Sequence, residues 1–590
     1  MSVANVELTS PAGSQALVEA ELDSCAEELL HLLAVHGIEI LFLNPGTDSA
    51  PLQEAYVALS RRGVSVPRLV VSSFESVALA AALGYWQASG RPQAVFVHVD
   101  VGTQNLGAMV HDALRDRAAA VILAGKTPYA EDGDAPGARS SPIHWYQDVP
   151  DQAGIVRGYA KWCSELVRAH DTARVIGRAV QVAAGGIPGL TYLTLSRDVL
   201  MDPAGPVSLR RAARYARPRP AAAEPEGLEE LAARLARAER PLIVTNRAGR
   251  YPGGAEALQR LSELAAIPVI GRPESVNLVT TDPLCVRSQA HGARLLAEAD
   301  VIVAVDSDVP WIPRTAQPPD DCFVAQIDRD PVKADMPLWS FPIDLALTAD
   351  PGVGLVQLVE ALGRHSAAVG ADWQRRRETL VPAIAASTRS LRDEADAPDT
   401  APTDIRAVLL AINEALPPDC LVVEEAVSNV GAFGELIDRP QPGTLYSAGG
   451  PGLGWAPGAA VGIKLARPDR PVVAIVGDGT FLFGVPTATL CLAAEADAPV
   501  VIVVLDNGGY RASRLPVLGL YPEGVSAREG EVAGTSFARP PDAVGIAEAC
   551  GAWGTRTDGA DGLSAALTEA IAVTRQGRSA VIHVRVQQSP

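Results

Sequence analysis

Two short glycine-flanked acidic stretches are spaced to do chemistry together. Gly477-Asp478-Gly479 follows the aliphatic run 472–476, and Asp506-Asn507-Gly508-Gly509 follows the aliphatic run 500–505. Aliphatic runs of that length read as buried strands of a parallel sheet, and such sheets bind ligands beyond their carboxyl ends. If the two strands are neighbours, the Asp478 carboxylate, the Asn507 amide oxygen and the Gly509 carbonyl meet at one edge. A sparse all-oxygen set of this kind suits magnesium, which completes its octahedron with phosphate oxygens and water. Gly477 and Gly479 let the backbone approach a phosphate closely. The N–H groups of Gly479 and Thr480 open the next helix and point toward an anion. Alone, each glycine-rich stretch would be an ordinary turn after a buried strand. Residues 480–505 between them suffice for a crossover helix and a return strand, which favours a shared site.

Two further residues carry proton chemistry. Glu75, in SSFESVALAAALGYWQASG, follows a strand and begins an Ala-rich helix. By itself it would be a helix-start glutamate favoured by the macrodipole. His98 ends the run VFVH and precedes VDVGTQN. It can shuttle protons, although a hydrogen-bonded core histidine would satisfy the same pattern.

The elements that must position these residues form three α/β blocks. In the first, strands are expected at 38–43, 68–71, 94–99, 120–123 and 190–195, with a helix over 76–88. In the second they are expected at 241–245, 267–270, 301–305 and 323–327, and in the third at 420–423, 472–476, 500–505 and 579–586. Strands alternating with helices imply doubly wound parallel sheets covered on both faces. The Pro/Ala/Arg-rich stretch RPRPAAAEPEG (217–227) reads as a linker. Residues 363–404 read as a polar helical bridge, and 511–540, rich in Gly, Pro and Glu, as a mobile cover. The boundaries adopted are 1–203, 204–370 and 371–590.

The bulk properties exclude several classes. A length of 590 residues exceeds one core. The net charge of −19, with no Lys/Arg run, gives no electrostatic basis for nucleic-acid binding. Seven scattered cysteines, none spaced CxxC, argue against a disulfide framework or a zinc site. No apolar run is long enough to span a membrane, and the first residues lack a secretory pattern. The expectation is a cytoplasmic enzyme.

At the motif level the chain resembles the thiamine-diphosphate-dependent enzymes, and in particular the benzoylformate decarboxylase and acetolactate synthase relatives. The GDG…DN spacing is similar to that family's cofactor fingerprint, with Asp506 where an Asn is usual and Asn507 retained. The stretch 449–462, GGPGLGWAPGAAVG, resembles the segment whose bulky apolar residue props the cofactor, which is Leu453 here, after Gly452. Glu425-Ala426-Val427-Ser428-Asn429 matches a turn contacting the diphosphate, implying Ser428 and Asn429, although Asn429 could equally cap a helix. Glu75, before a helix containing Gly84-Tyr85, matches the glutamate that activates the aminopyrimidine. LFLNPGTDS is similar to an NPG-Ser turn, so that Thr47 takes the place of a serine contacting substrate carboxylate. His98 coincides with an active-site histidine, and Asn105 ends the same segment. Gln147 matches a glutamine of acetolactate synthases, with Lys161 following.

The resemblance implies a thiamine diphosphate- and Mg2+-dependent decarboxylase or carboligase. It would act on a 2-oxo acid through ylide attack and an enamine, with an aldehyde or ketone as optional acceptor. It further implies pyrimidine-binding, middle and diphosphate-binding domains in a homodimer or homotetramer with active sites at subunit interfaces. FAD is not expected, because Asp306–Trp311 replaces the arginine signature of flavin-binding relatives; the Trp311 loop is expected to reach the active site. The alternatives are a lyase of hydroxyketones or 2-hydroxyacyl thioesters, and a non-catalytic thiamine diphosphate-binding protein.

Overall fold

The computed structural model describes residues 21–131, 133, 135–204, 214–271 and 275–587. The N-terminal stretch read for a secretory signal lies outside them. Two compact units divide at Pro218/Arg219, inside the Pro/Ala/Arg-rich stretch.

The first unit holds β1 (Ile40–Leu43), β2 (Arg68–Val71), β3 (Gln93–Val97), β4 (Ala120–Lys126), β5 (Trp162–Leu166) and β6 (Leu190–Ser196). They form one parallel sheet in the order β2-β1-β3-β4-β6-β5. The central strands are aliphatic on both faces and fully buried, as expected when helices cover both sides. Helix Glu75–Ser89 is buried from Val77 to Ala88. Its alanines let it lie close to the sheet, and it stops at Gly90, which adopts φ 68° as a left-handed cap.

The second unit holds two sheets. One comprises β7 (Pro241–Thr245), β8 (Val269–Gly271), β9 (Val301–Val305), β10 (Phe323–Asp328) and β11 (Leu345–Thr348), ordered β11-β10-β9-β7-β8. The other comprises β12 (Leu421–Glu425), β13 (Leu445–Ser447), β14 (Val472–Gly477), β15 (Val501–Asp506), β16 (Trp553–Asp558) and β17 (Ala580–Arg585), ordered β13-β12-β14-β15-β17-β16. Both sheets are parallel. In sequence they are joined through the 30-residue helix Ser366–Ala395. Asn277 ties the two segments: its Oδ1 accepts from Thr444 N (2.8 Å) and Leu445 N (2.9 Å), and its Nδ2 donates to Gln441 O (3.0 Å).

Three parallel α/β sheets are therefore present, as the strand pattern implied. Two residues singled out in the sequence are placed by the fold. The Trp311 indole is buried in an apolar cluster, edge-on to Phe341 at 5.3 Å, because the loop after β9 turns it inward. The Lys161 ammonium donates to the carbonyls of Val182 (2.7 Å), Gly185 (2.5 Å) and Ile187 (2.6 Å), capping the end of helix Thr172–Ala184. Among the described residues, no helix is long and apolar enough to cross a membrane.

Candidate active site

In the second unit, β12, β14 and β15 are consecutive neighbours, with Gly477 paired to Leu505. Asp478 and Asn507 consequently emerge side by side at the carboxyl edge, and both are buried. Asp478 Oδ2 accepts from Gly509 N (2.8 Å), which locks the Gly508-Gly509 turn against it. That turn requires glycine: Gly509 has φ 157°, and a Cβ there would lie 2.1 Å from Thr535 O. The Gly509 carbonyl accepts from Arg511 N (3.1 Å) and retains a second lone pair for a cation.

One main-chain donor read from the sequence as facing an anion already has a partner. Gly479 N donates to Asp478 Oδ1 at 2.8 Å, because that carboxylate folds back over its own helix start. The Thr480 hydroxyl donates to Glu425 O (3.1 Å) and ties β12 to the turn. Open space lies over the Cα of Gly477, where an added Cβ would meet nothing within 4 Å.

The rest of the cradle is held by Glu425. Its carboxylate accepts from Gly454 N (2.8 Å) and Ala456 N (2.7 Å), fixing the start of helix Trp455–Ala466 and thereby the preceding Gly452 and half-buried Leu453. Gly454 has φ 95°, and a Cβ there would strike Phe483 C at 2.4 Å, so the approach needs glycine. Ser428 and Asn429 lie in the 3₁₀ turn Val427–Asn429. The Asn429 side chain makes no capping bond; its Oδ1 accepts from Arg511 Nη1 at 3.3 Å.

The electrostatics of this corner are set by burial and by two neighbouring carboxylates. Burial, and then the adjacent Asp506, push the Asp478 carboxyl well above the usual carboxylate range. Asp506 is held low by its hydrogen bond from His583 Nε2 (2.7 Å), and its other oxygen accepts from Gly508 N (2.8 Å). The Asp478 carboxylate, the buried Asn507 amide and the Gly509 carbonyl are a donor set that fits magnesium. Among the described residues, no cluster of three or more His, Cys, Asp or Glu forms a cage for a softer metal.

In the first unit Glu75, Asn105 and His98 gather at the carboxyl edge of the sheet. Asn105 Nδ2 donates to Glu75 Oε2 at 3.2 Å. Gly102 passes so close that a Cβ would lie 3.0 Å from Glu75 Oε1. Asn105, expected to touch cofactor, thus also orients this carboxylate.

His98 Nδ1 lies 2.5 Å from Asp48 Oδ1. The Asp48 hydrogen bond raises the His98 pKa, with the nearby Asp100 and Glu75 charges adding to it. Val99, directly after His98, has φ 36°, a conformation a β-branched residue adopts only where its surroundings impose it. Thr47 Oγ1 is 3.4 Å from His144 Nε2. Gln147 is 5% exposed, and neither its amide nitrogen nor its amide oxygen has a partner.

Sequence reasoning missed Asp48, His144, Glu425 and His583. Asp48 lay within a motif already singled out and His144 three residues before Gln147, but only the fold brings them to His98 and Thr47.

Three doubly wound parallel sheets, one ending in a carboxylate–amide corner and one in a helix-start glutamate beside a histidine, define a cofactor-binding α/β enzyme. The chain belongs to the thiamine pyrophosphate enzyme family: its N-terminal TPP binding domain matches residues 23–155, its central domain 228–358 and its C-terminal TPP binding domain 428–584. The chain is 27% identical over 501 residues to benzoylformate decarboxylase of Pseudomonas aeruginosa, covering 82% of this chain and 86% of that one. It is 28% identical over 469 residues to a 2-hydroxyacyl-CoA lyase of Oryza sativa, covering 74% and 76%. The crystal structure of benzoylformate decarboxylase from Polynucleobacter necessarius superposes with a TM-score of 0.76 at 20% identity, covering 96% of this chain and 99% of that one, a likeness of fold.

Proposed function

We propose that this protein is a thiamine diphosphate- and magnesium-dependent decarboxylase or carboligase acting on a 2-oxo acid. The observation that carries the reading is the grouping of Glu75, His98, Asp48 and Thr47 at one sheet edge. A protein that only bound the cofactor would not need a histidine held ready to give a proton. Asp478, Asn507 and the Gly509 carbonyl would hold magnesium. Gly477, Gly479, Thr480, Ser428 and Asn429 would surround the diphosphate, and Leu453 would support the cofactor from below. When bound, thiamine diphosphate supplies the carbanion and the electron sink for loss of carbon dioxide.

The chain's own residues do the rest. Glu75, steadied by Asn105, would exchange a proton with the aminopyrimidine. His98, whose pKa Asp48 raises, would deliver a proton after loss of carbon dioxide. Thr47 and Gln147 offer hydrogen bonds to substrate. Residues 1–203, 204–370 and 371–590 would be the pyrimidine-binding, middle and diphosphate-binding domains of a homodimer or homotetramer.

The test is product analysis with pyruvate and with benzoylformate, in the presence of thiamine diphosphate and Mg2+, with and without an added aldehyde. Aldehyde or hydroxyketone formation is expected. Glu75→Gln should nearly abolish turnover while leaving cofactor bound, and undiminished turnover in that variant would refute the assignment. Cleavage of 2-hydroxyacyl thioesters with no turnover of any 2-oxo acid would establish the lyase reading instead.

A further inference from the structure

His144 lies on the short helix Ile143–Tyr146 and is 2% exposed. Its two ring nitrogens have different neighbours. Ser140 N donates to Nδ1 at 3.0 Å, and Nε2 sits 3.4 Å from Thr47 Oγ1. A backbone N–H can only donate, so Nδ1 must be the acceptor and Nε2 must carry the hydrogen. A doubly protonated ring would set a second N–H against Ser140. Burial first, and then the Arg197 and Arg139 charges, lower the His144 pKa in agreement with that tautomer.

The consequence falls on Thr47. Its oxygen accepts from Nε2–H, so its own O–H must turn away from His144. Thr47 is exposed, and the turn is braced. Arg197 donates to Thr47 O (3.4 Å), Gly137 O (3.0 Å) and Ala138 O (2.5 Å). Arg139 donates to His144 O (3.2 Å) and, through another nitrogen, to Asp148 Oδ2 (2.6 Å). The hydroxyl hydrogen is therefore turned away from His144 beside the His98–Asp48 pair, and an acceptor-only group such as a carboxylate is its natural partner.

We propose that His144 is a positioning residue that fixes the Thr47 hydroxyl as a donor to the carboxylate of a 2-oxo acid substrate. The inference rests on the function proposed above. The sequence resemblance gives His144 no role, and nothing else in the site explains why a buried histidine is aimed at an exposed threonine.

The test is a double-mutant cycle on the holoenzyme with thiamine diphosphate and Mg2+, using the 2-oxo acid that the wild type turns over best. Thr47→Val and His144→Phe are each expected to lower kcat/KM about tenfold, the weight of one hydrogen bond to a charged group, with most of the loss in KM. The double variant should be no worse than Thr47→Val alone. His144→Gln, which returns an N–H near the lost Nε2, should recover most of the loss. Cofactor affinity should be unchanged throughout. Additive losses, near a hundredfold in the double variant, would overturn the proposal. So would wild-type KM in His144→Phe, or a His144→Gln variant as impaired as His144→Phe. If the wild type itself turned over no 2-oxo acid, the functional reading would fail first and this inference with it.

Discussion

Replacing Asp48 with Asn isolates the charge of the carboxylate that holds His98. Asp48 is 3% exposed and its slot is shaped around it: a Cβ on Gly125 would lie 1.3 Å from Asp48 Oδ2, and one on Gly46 would lie 2.2 Å from His98 Nδ1. Asn has nearly the same shape and keeps one oxygen for His98, while the charge is lost and the long bond from Val99 N (3.4 Å) loses its acceptor. The His98 pKa is raised in the folded protein, chiefly by that hydrogen bond. A raised folded-state pKa contributes stability that is fully present below the unfolded value of about 6.5 and is lost as pH rises through the folded value. A hydrogen bond to a charged group contributes about 1.5–3 kcal/mol and a neutral one about 0.5–1.5 kcal/mol. The His98 side chain is 23% exposed, so the lower half applies: Asp48→Asn should cost about 1 kcal/mol more on the acid side of the imidazole range than on the alkaline side. On the alkaline side the variant can match the wild type, because a buried carboxylate facing a neutral ring is no longer repaid. Urea unfolding across pH measures the stability, and the imidazole signals in NMR follow His98 directly. A pH-independent stability loss, or a His98 that titrates at the same pH in both proteins, would refute the reasoning.

Other perturbations probe other parts. Gly509→Ala places a Cβ 2.1 Å from Thr535 O at φ 157° and should cost about 1–3 kcal/mol, read as a lower melting temperature, together with weaker Mg2+-dependent cofactor binding by fluorescence quenching. Lys333, 1% exposed, is paired with Asp328 and, at 3.1 Å, with Asp308; Lys333→Met leaves the buried Asp328 carboxylate without its cation, while Asp308 keeps Arg247, and should destabilise by about 3–5 kcal/mol in denaturant titration. Asp506→Asn removes one negative charge beside the proposed cation site, so the Mg2+ concentration for half-maximal cofactor binding should rise several-fold.

The strands that escaped the sequence reading share one property. β5, β11, β13 and β16 are all edge strands. An edge strand is buried on less of its surface, so its residues need not be aliphatic: Leu345–Thr348 alternates in exposure, and no residue of Trp553–Asp558 is fully buried. Central strands such as Val472–Gly477 and Val501–Asp506 must be aliphatic on both faces, and that run is what a reader of sequence can see. The orientation of Trp311 was hidden for the complementary reason. A loop tryptophan shows which way its ring turns only in the fold.

The site was legible where its chemistry is carried by one local motif. Asp478 and Asn507 needed only adjacent strands, and Glu75 only the start of its helix. What remained hidden was the set of partners. Asp48 lies 50 positions from His98, His144 lies 97 from Thr47 and His583 lies 77 from Asp506. Asp506 is the instructive case. Read against the family pattern it is a lone departure that brings an extra charge beside the proposed cation site. In the fold, His583 on the neighbouring strand β17 donates to it, and the Gly508 N–H still finds an acceptor in its other oxygen. An Asn at 506 would accept the turn bond equally well but would have no charge for His583 to stabilise. The substitution and the histidine are therefore one feature, and a change at either position should be judged by what it does to the other.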